Sequence, residues 1–336
     1  MTTRTRYFVI VSLLVLGVGL GTGLVAYYVG VQGMPFARHA GPEELQYVPK
    51  DATVVAFANV QEIMHSDLRQ KLHHALPGQE NGQAELQNLT GINLENDVFR
   101  VVACLYADAA PNGNVPGAGM VLARGNFDET KIQGLMIDHG AHIEHYKDMP
   151  LVVADTNPAG DTRARSFALA FVEPGLAALG TADVVRKAID LHQNGANAPA
   201  AVQSVTANDE LMGLVRSLET GNNAWAVGRF NALTSQAHLP ANIAGQIPAI
   251  TWFSIGAHIN GGLRGTLRAE TRDDDAANNL RDVVRGFLAL GKLQAGSRPD
   301  IQAMMASLQL GGQGKTVTLS FDVPSQVFDA IGNLAR

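Results

Sequence analysis

The sequence predicts an α+β fold that follows an N-terminal transmembrane helix. Two observations predict this arrangement. The uncharged run from Tyr7 to Gly30 is long enough to cross the hydrocarbon core of a bilayer. The residues after it alternate short β-type runs with amphipathic helical stretches, and the order of these stretches occurs twice. We therefore expect two tandem α+β repeats, each an antiparallel sheet with helices packed on one face.

The apolar run is interpreted as an uncleaved membrane anchor over residues 7–30. A cleaved signal peptide has an apolar region of about 7–15 residues and a small-x-small cleavage site, and the sequence after Gly23 offers no such site. Arg4 and Arg6 precede the run, and the positive-inside rule places residues 1–6 in the cytoplasm. Everything after the anchor is then extracytoplasmic, which means periplasmic in a Gram-negative cell.

Glycines within the predicted anchor suggest a self-association surface. Gly17 and Gly21 lie four residues apart, a spacing that lets two membrane helices approach closely. Glycine is also common in membrane helices in general. A homo-oligomer formed through Gly17 and Gly21 is therefore one of two interpretations of this pattern.

Composition limits the possible partners and cross-links of the exported region. The chain has 25 basic and 31 acidic residues, and without Arg4 and Arg6 the region after residue 30 has a net charge of −8. This charge argues against a nucleic-acid partner and against a polybasic attachment to anionic lipid. Cys104 is the only cysteine and lies in an apolar run, so we expect a buried, inert thiol and no intrachain disulfide.

Glycine, proline and polar runs divide the chain after the anchor. Residues 31–50 contain glycine, proline and mixed charge without a sustained period, which predicts a linker. Residues 51–195 form the predicted first repeat, and residues 205–336 form the second. The stretch at 193–204 is rich in Asn, Ala and Gly and predicts the boundary between them.

Hydrophobic periodicity predicts the elements of each repeat. In the first repeat we expect strands at 53–60, 97–107, 118–124, 141–146, 151–154, 167–172 and 176–179 and helices at 61–76, 128–139 and 182–192. In the second we expect strands at 223–230, 250–259, 263–271 and 316–321 and helices at 208–218, after Asp273, at 300–308 and after Pro324. The helix after Asp273 carries one expected apolar face, formed by Leu280, Val283, Val284, Phe287, Leu288 and Gly291.

Short phrases before the predicted strands carry a family resemblance. Residues 47–52 read YVPKDA and residues 89–98 read LTGINLENDV. With the repeated order of elements, these phrases resemble an uncharacterised family of bacterial envelope proteins that have one N-terminal membrane helix and a duplicated α+β exported region. The resemblance covers most of residues 46–335 and implies a location and a fold. It implies no activity, substrate or catalytic residue.

The segment from His139 to His145 is the richest in groups that bind zinc. On a strand, His142 and Glu144 would face one side and His145 the other. The segment contains neither HExxH nor HxxEH. A solvated strand face is therefore favoured over a metal site, and a metal-dependent hydrolase that uses this segment, joined by His258 or a distant carboxylate, is the alternative.

Two further features are assigned structural roles. Residues 311–316 read GGQGKT, but the first glycine of a phosphate-binding loop is missing and a strand follows where that loop requires a helix, so a β-turn is expected. Trp225 and Trp252 lie in predicted strands, where a core role is favoured over an exposed binding role.

The sequence thus assigns no catalytic, cofactor-binding or metal-binding residue, and it leans away from an enzyme. The leading hypothesis is a single-pass, membrane-anchored extracytoplasmic binding or scaffold module of the cell envelope. Its expected partner is an envelope protein or a lipidic or glycan ligand.

Overall fold

The structure, a computed structural model, describes residues 41–69, 87–88, 90–106, 118–156, 165–195, 203–230, 250–296 and 299–324. These residues form one antiparallel sheet of twelve strands with helices packed against it, which confirms the α+β class. The strands are β1 (Val54–Ala58), β2 (Val98–Leu105), β3 (Gly119–Gly125), β4 (His142–Tyr146), β5 (Met149–Thr156), β6 (Arg165–Glu173), β7 (Leu176–Thr181), β8 (Ala224–Arg229), β9 (Ile250–Ile259), β10 (Gly262–Thr271), β11 (Gln309–Gly311) and β12 (Thr316–Pro324). The helices are α1 (Val60–Met64), α2 (Leu94–Asp97), α3 (Glu129–Asp138), α4 (Ala182–Asn194), α5 (Asp209–Ser217), α6 (Asp274–Ala295) and α7 (Pro299–Ser307), and short 3-10 helices cover Glu43–Tyr47 and Val205–Ala207.

The two halves of the chain meet at the centre of the sheet. The strand order is β11-β12-β10-β9-β8-β1-β2-β3-β7-β6-β5-β4, and β1 pairs with β8 around Ala56 opposite Ala226. The prediction of a separate sheet in each half is therefore wrong. An unpaired strand edge exposes a row of backbone N–H and C=O groups, and the β1–β8 pairing removes one such edge from each half.

Helices cover both faces of the sheet in the first half of the chain. Alternate strand residues pack against α4 on one face, while the intervening residues pack against α1 and α3 on the other. The prediction of helices on one face is wrong here. The strand β2 explains why, because its residues 101–105 are all buried and a strand that is apolar on both sides needs a cover on both sides.

Part of the predicted linker belongs to the folded core. Leu45, Tyr47 and Val48 lie in the main hydrophobic cluster, so the predicted linker over 31–50 ends before Glu43. The backbone N–H of Val205 donates to the carbonyl of Val48 at 2.7 Å. The end of the predicted boundary segment 193–204 therefore pairs with the chain that leads into β1.

Two pairs of consecutive predicted strands form hairpins. The strands predicted at 250–259 and 263–271 form the β9–β10 hairpin, which turns at Asn260 and Gly261. The β4–β5 hairpin turns at Lys147 and Asp148, whose φ angles of 48° and 64° are the conformation that a tight two-residue turn needs.

Several other predicted elements differ from those in the structure or lie outside the described residues. The helix expected over 61–76 is interrupted, because α1 ends at Met64; residues 70–76, with His73 and His74, are outside the description. The short strand β11 was not predicted. The helix expected after Pro324 is also outside the described residues.

The predicted membrane span is not among the described residues either. Within the part of the chain that the structure describes, no helix combines the length and the apolar character needed to cross a membrane. Residues 7–30 precede this part, so the anchor and its Gly17 and Gly21 pattern remain predictions.

Candidate functional site

The structure does not bring the His139–His145 side chains together as a metal site. His139 lies at the end of α3, with its Nδ1 atom 2.7 Å from the Leu135 carbonyl oxygen. His142 and Glu144 share one side of β4 and their Nε2 and Oε1 atoms are 3.3 Å apart. Among the described residues, no group of three His, Cys, Asp or Glu side chains could hold a metal ion.

The carboxylate of Glu144 already forms an ion pair with Arg186. The Nη2 atom of Arg186, on α4, donates to Oε2 of Glu144, on β4, at 2.8 Å. This hydrogen bond is the main cause that lowers the pKa of Glu144, and the contact with His142 adds to it. The carboxylate is therefore part of a partly exposed ion pair. His258 lies on β9, in the other half of the sheet.

A partly buried ionic cluster, with Glu44 at its buried centre, lies where the chain first joins the sheet. We call it the Glu44 cluster, and its members are Glu44, Tyr47, Arg100, Arg124 and Glu173. The Glu44 side chain is fully buried, and its Oε1 atom lies 3.2 Å from Arg124 Nε and 3.3 Å from Arg100 Nη2. Arg124 Nη2 also donates to Glu173 Oε2 at 3.0 Å, and the Tyr47 hydroxyl donates to Glu173 Oε1.

Strand register explains why this cluster needs Glu44. Arg100 on β2 and Arg124 on β3 lie directly opposite each other. Like charges in that position repel, and the 3-10 helix supplies the carboxylate of Glu44 between them. Two carboxylates then balance two guanidinium groups. The 3-10 helix is thereby fastened to two strands by ion pairs as well as by its apolar side chains.

The pKa directions in the cluster support a structural role. Burial and the hydrogen bond to Glu173 raise the pKa of Tyr47 far above its ordinary value, so the phenol stays protonated and acts as a donor. Burial raises the pKa of Glu173, but hydrogen bonds from Tyr47 and Arg124 lower it, and the net shift is downward. A general acid or base works best with a pKa near the operating pH, and neither group is shifted in that direction.

The thiol of Cys104 is buried in the main core, as the sequence predicted. Burial is the main cause that raises its pKa to about 12. The thiolate is the nucleophilic form of cysteine, and at neutral pH this thiol carries almost none of it. Cys104 is thus a core residue of the first half of the sheet.

Among the residues that the structure describes, the largest group of exposed apolar side chains lies on α6. Four side chains, spaced by four, three and three residues along the helix, are exposed by 37%, 68%, 51% and 79%. We call them the α6 stripe: Val283, Phe287, Leu290 and Leu293. The sequence predicts Val283 and Phe287 on one apolar face together with Leu280, Val284, Leu288 and Gly291, and in the structure these two side chains are exposed.

The packing of α6 explains the difference. A second line of apolar residues, Leu280, Val284, Leu288 and Gly291, is half-buried. Gly291 lies so close to α7 that an added Cβ would come within 2.6 Å of the Met305 methyl carbon. The apolar arc of α6 is therefore wider than the surface it packs against, and one line of residues remains in solvent.

Exposure of the α6 stripe has a measurable cost in free energy. Full burial of a Val, Leu or Phe side chain contributes about 1.5–3 kcal/mol, so removing the remaining exposed area from water would contribute roughly 3–7 kcal/mol in total. Contiguous apolar surface of this kind marks interaction sites in soluble proteins. Sequence reasoning had identified the helix but not this surface. The signal that could have shown it is the second apolar line, which continues through Leu290 and Leu293.

The remaining sequence candidates have structural roles. Trp225 is 6% exposed in the main core and stacks on Phe57 at 5.7 Å, as predicted. Trp252 is half-buried, and the Arg229 guanidinium lies 4.8 Å from its ring centre. The expected β-turn in residues 311–316 is confirmed: Gly312 and Gly314 have positive φ and the turn joins β11 to β12.

Comparison of the chain with known protein families, with curated proteins and with solved structures finds no match. The resemblance to bacterial envelope proteins therefore stays a prediction.

Proposed function

We propose that the protein is a single-pass, membrane-anchored extracytoplasmic protein that serves as a non-enzymatic binding or scaffold module of the cell envelope. The Glu44 cluster is the observation that carries this proposal. It fastens the segment that arrives from the predicted anchor directly to β2 and β3. Only residues 31–42 separate the anchor from this attachment, and even fully extended they span about 40 Å. The sheet is therefore held close to the membrane.

The α6 stripe supplies the binding surface of the proposed module. It is exposed, apolar and placed on a 22-residue helix that packs on the sheet through its other side. Rigid elements present a surface more precisely than loops do. The acidic exported region argues against nucleic acid as the partner.

We also propose that the two halves descend from one duplicated unit. Outward from the central pair, the first half runs β1, β2, β3, β7 and the second runs β8, β9, β10, β12. In both halves the second and third strands form an antiparallel pair, and a helix follows the third strand. The paired opening strands read VVAFA and AWAVGR, with small and apolar residues at every position except the exposed Arg229.

The metal-dependent hydrolase gains no support from the described geometry. Its best pair, His142 and Glu144, lies on an exposed strand face and shares its carboxylate with Arg186. Purified protein with one firmly bound zinc ion per chain would reopen this alternative.

The test of the proposed function is membrane extraction combined with single-cysteine labelling in cells. Cys104 is buried and gives little background, and Asp183 has a side chain 74% exposed on α4. We expect full-length protein to stay in membranes after alkaline carbonate, and Asp183→Cys to react with an impermeant maleimide in unlysed spheroplasts. Thr3→Cys is the matched control and should react only after lysis. Release by carbonate, or the reverse labelling pattern, would contradict the proposal.

A further inference from the structure

We propose that the edge strand β4 binds β4 of a second copy of this chain, so that the two sheets join into one continuous antiparallel sheet. In the strand order, β4 lies at the opposite end from β11 and β12, against which α6 packs. The proposed seam between the two copies is therefore separate from the α6 stripe, and it does not depend on the proposed membrane anchor.

The two edges of the sheet differ in their protection against pairing. Sheet edges are commonly kept unpaired by very short strands, by proline or lysine, or by bulges. At one edge, β11 covers only the three residues Gln309–Gly311. At the other edge, β4 has five residues without lysine or proline, and its register with β5 continues without a shift from His142 to Tyr146. Among the described residues, β4 pairs with β5 alone, and it is therefore the edge that can accept another strand.

Hairpin geometry determines which backbone groups of β4 point outward. The two-residue turn between β4 and β5 makes Tyr146 and Met149 a hydrogen-bonded pair. Hydrogen-bonded and non-hydrogen-bonded pairs then alternate along the ladder, so the backbone N–H and C=O groups of His145 and Ile143 point away from β5. Pro150, opposite His145, fits this assignment because a proline has no N–H to donate.

Charge selects one register for two antiparallel β4 strands. The outward backbone groups can pair with Ile143 opposite Ile143 or with Glu144 opposite Glu144, so the side chains decide. The second register places two carboxylates directly opposite each other, which is destabilising. The first places His142 of each copy opposite Glu144 of the other, as a non-hydrogen-bonded pair whose side chains lie close together. His142 and Glu144 of one chain are already 3.3 Å apart, so the two copies would form an alternating group of four side chains.

The side chains of β4 are accessible on both faces of the sheet. His142 and Glu144 are partly exposed on the face of α4, where Arg186 binds one carboxylate oxygen. An ionised carboxylate has about four acceptor positions, so Glu144 can accept from a further donor. Ile143 lies opposite Val152 on the face of α3 and is 45% exposed, and pairing brings its two copies side by side. Joining the strands therefore covers apolar area as well as backbone groups.

The sequence of β4 favours a second copy over an unrelated peptide. A two-fold interface must be complementary to itself. The order His-x-Glu meets this condition when the second strand runs in the opposite direction, because each imidazole then faces a carboxylate. The seam is short, and an interface of this size gives weak, reversible association.

Oxidative cross-linking of the full-length protein with copper phenanthroline tests the register. Ile143→Cys places two thiols directly opposite each other, at a Cα separation of about 5.5 Å that a disulfide can bridge. His145→Cys is the matched control, because its two copies are offset by about 14 Å along the strands. Cys104 is buried and adds little background. We expect Ile143→Cys to form a disulfide-linked dimer about tenfold faster than His145→Cys, because only the first pair meets the geometry of a disulfide.

A second measurement removes backbone pairing at the seam. Ile143→Pro deletes an N–H that points away from β5, a position where an edge strand tolerates proline. Ile143→Val keeps this N–H and is the control. Sedimentation equilibrium of the full-length proteins in density-matched detergent should show an association constant lowered about tenfold by the proline, because each copy loses one hydrogen bond, and changed less than about twofold by the valine. The cysteine comparison decides the inference even if the proline variant fails to fold.

Three results would overturn the inference. Equal cross-linking rates at residues 143 and 145 would assign association to other contacts, such as the glycines of the predicted anchor, or to the register with Glu144 opposite Glu144. Association that is unchanged in folded Ile143→Pro would show that the β4 backbone is not part of the interface. Protein that stays monomeric and does not cross-link at residue 143 would exclude the second copy as the partner of β4.

Discussion

The first half of the sheet, β1–β7, and the second half, β8–β12, share their order outward from the centre but differ in burial. The strand β3 buries residues 119–122 in a row, whereas β10, in the matching position, buries only Ala269 and Thr271 among its ten residues. The exposure of charged side chains differs in the same way. Glu44 is fully buried in the first half, and the Arg268–Glu270 pair of the second is 38% and 36% exposed. Buried contacts in the first half therefore contribute most of the stability, and the second half exposes more of its side chains to solvent.

Strand composition accounts for this difference. The residues of β2 from 101 to 105 are apolar without interruption, so both of their faces require cover. The strand β10 alternates instead, with Arg264, Thr266, Arg268 and Glu270 on one side. Such alternation is typical of a strand with one solvated face.

Among the charged residues, the largest expected effect is the loss of Glu44. Glu44→Ala leaves Arg100 and Arg124 opposite each other without their shared carboxylate. Breaking a fully buried pair costs about 3–5 kcal/mol. Because Arg100 and Arg124 are 36% and 19% exposed, we expect a loss below that range but above the roughly 1 kcal/mol of an exposed pair. The matched change in the second half, Glu270→Ala, breaks an exposed pair and should cost less than about 1 kcal/mol. Urea unfolding measures both. Equal losses in the two variants would mean that the halves do not differ as described.

Truncation of one apolar side chain on α4 and one on α6 compares the contributions of these helices to stability. Ile189 on α4 is fully buried, and Ile189→Ala should lower the free energy of unfolding by about 2–5 kcal/mol. Leu293 on α6 is 79% exposed, and Leu293→Ala should change the free energy of unfolding by no more than about 0.5 kcal/mol. Thermal unfolding followed by circular dichroism gives the comparison. A loss of the same size at residue 293 would show that the stripe is packed.

The pH dependence of stability probes the Glu44 cluster more finely. The pKa of Glu173 is lower in the folded protein than its ordinary value of 4.5. Stability from this group is therefore fully present above that value and is lost as the pH falls through the folded pKa. Glu173→Gln should be less stable than wild type at neutral pH, and the gap should shrink below pH 4.5. A gap that is constant with pH would mean that the carboxylate charge does not contribute.

Replacement within the stripe should have the smallest effect on folding. Phe287→Ser removes apolar area that already faces solvent, so the change in unfolding free energy should stay within about 0.5 kcal/mol. Denaturant unfolding of the variant measures this change, and a strongly destabilised variant would contradict the exposed placement.

Local sequence patterns predicted the elements but not the contacts between distant segments. The hairpin at Asn260 follows from the turn preferences of its own residues. The Glu44 cluster joins residues that are 80 and 126 positions apart, and no local period reports such pairs. The α6 helix was predicted, but its two apolar lines are adjacent, and the positions of α7 and of the sheet decide which line is covered.

Hydrogen exchange of the full-length protein tests the difference between the two halves most directly. We predict slower exchange in α4, which is packed in the core of the first half, than in the C-terminal half of α6, whose outer apolar side chains are exposed. Equal protection of the two helices, or faster exchange in α4, would contradict a stabilising first half and an exposed surface on the second.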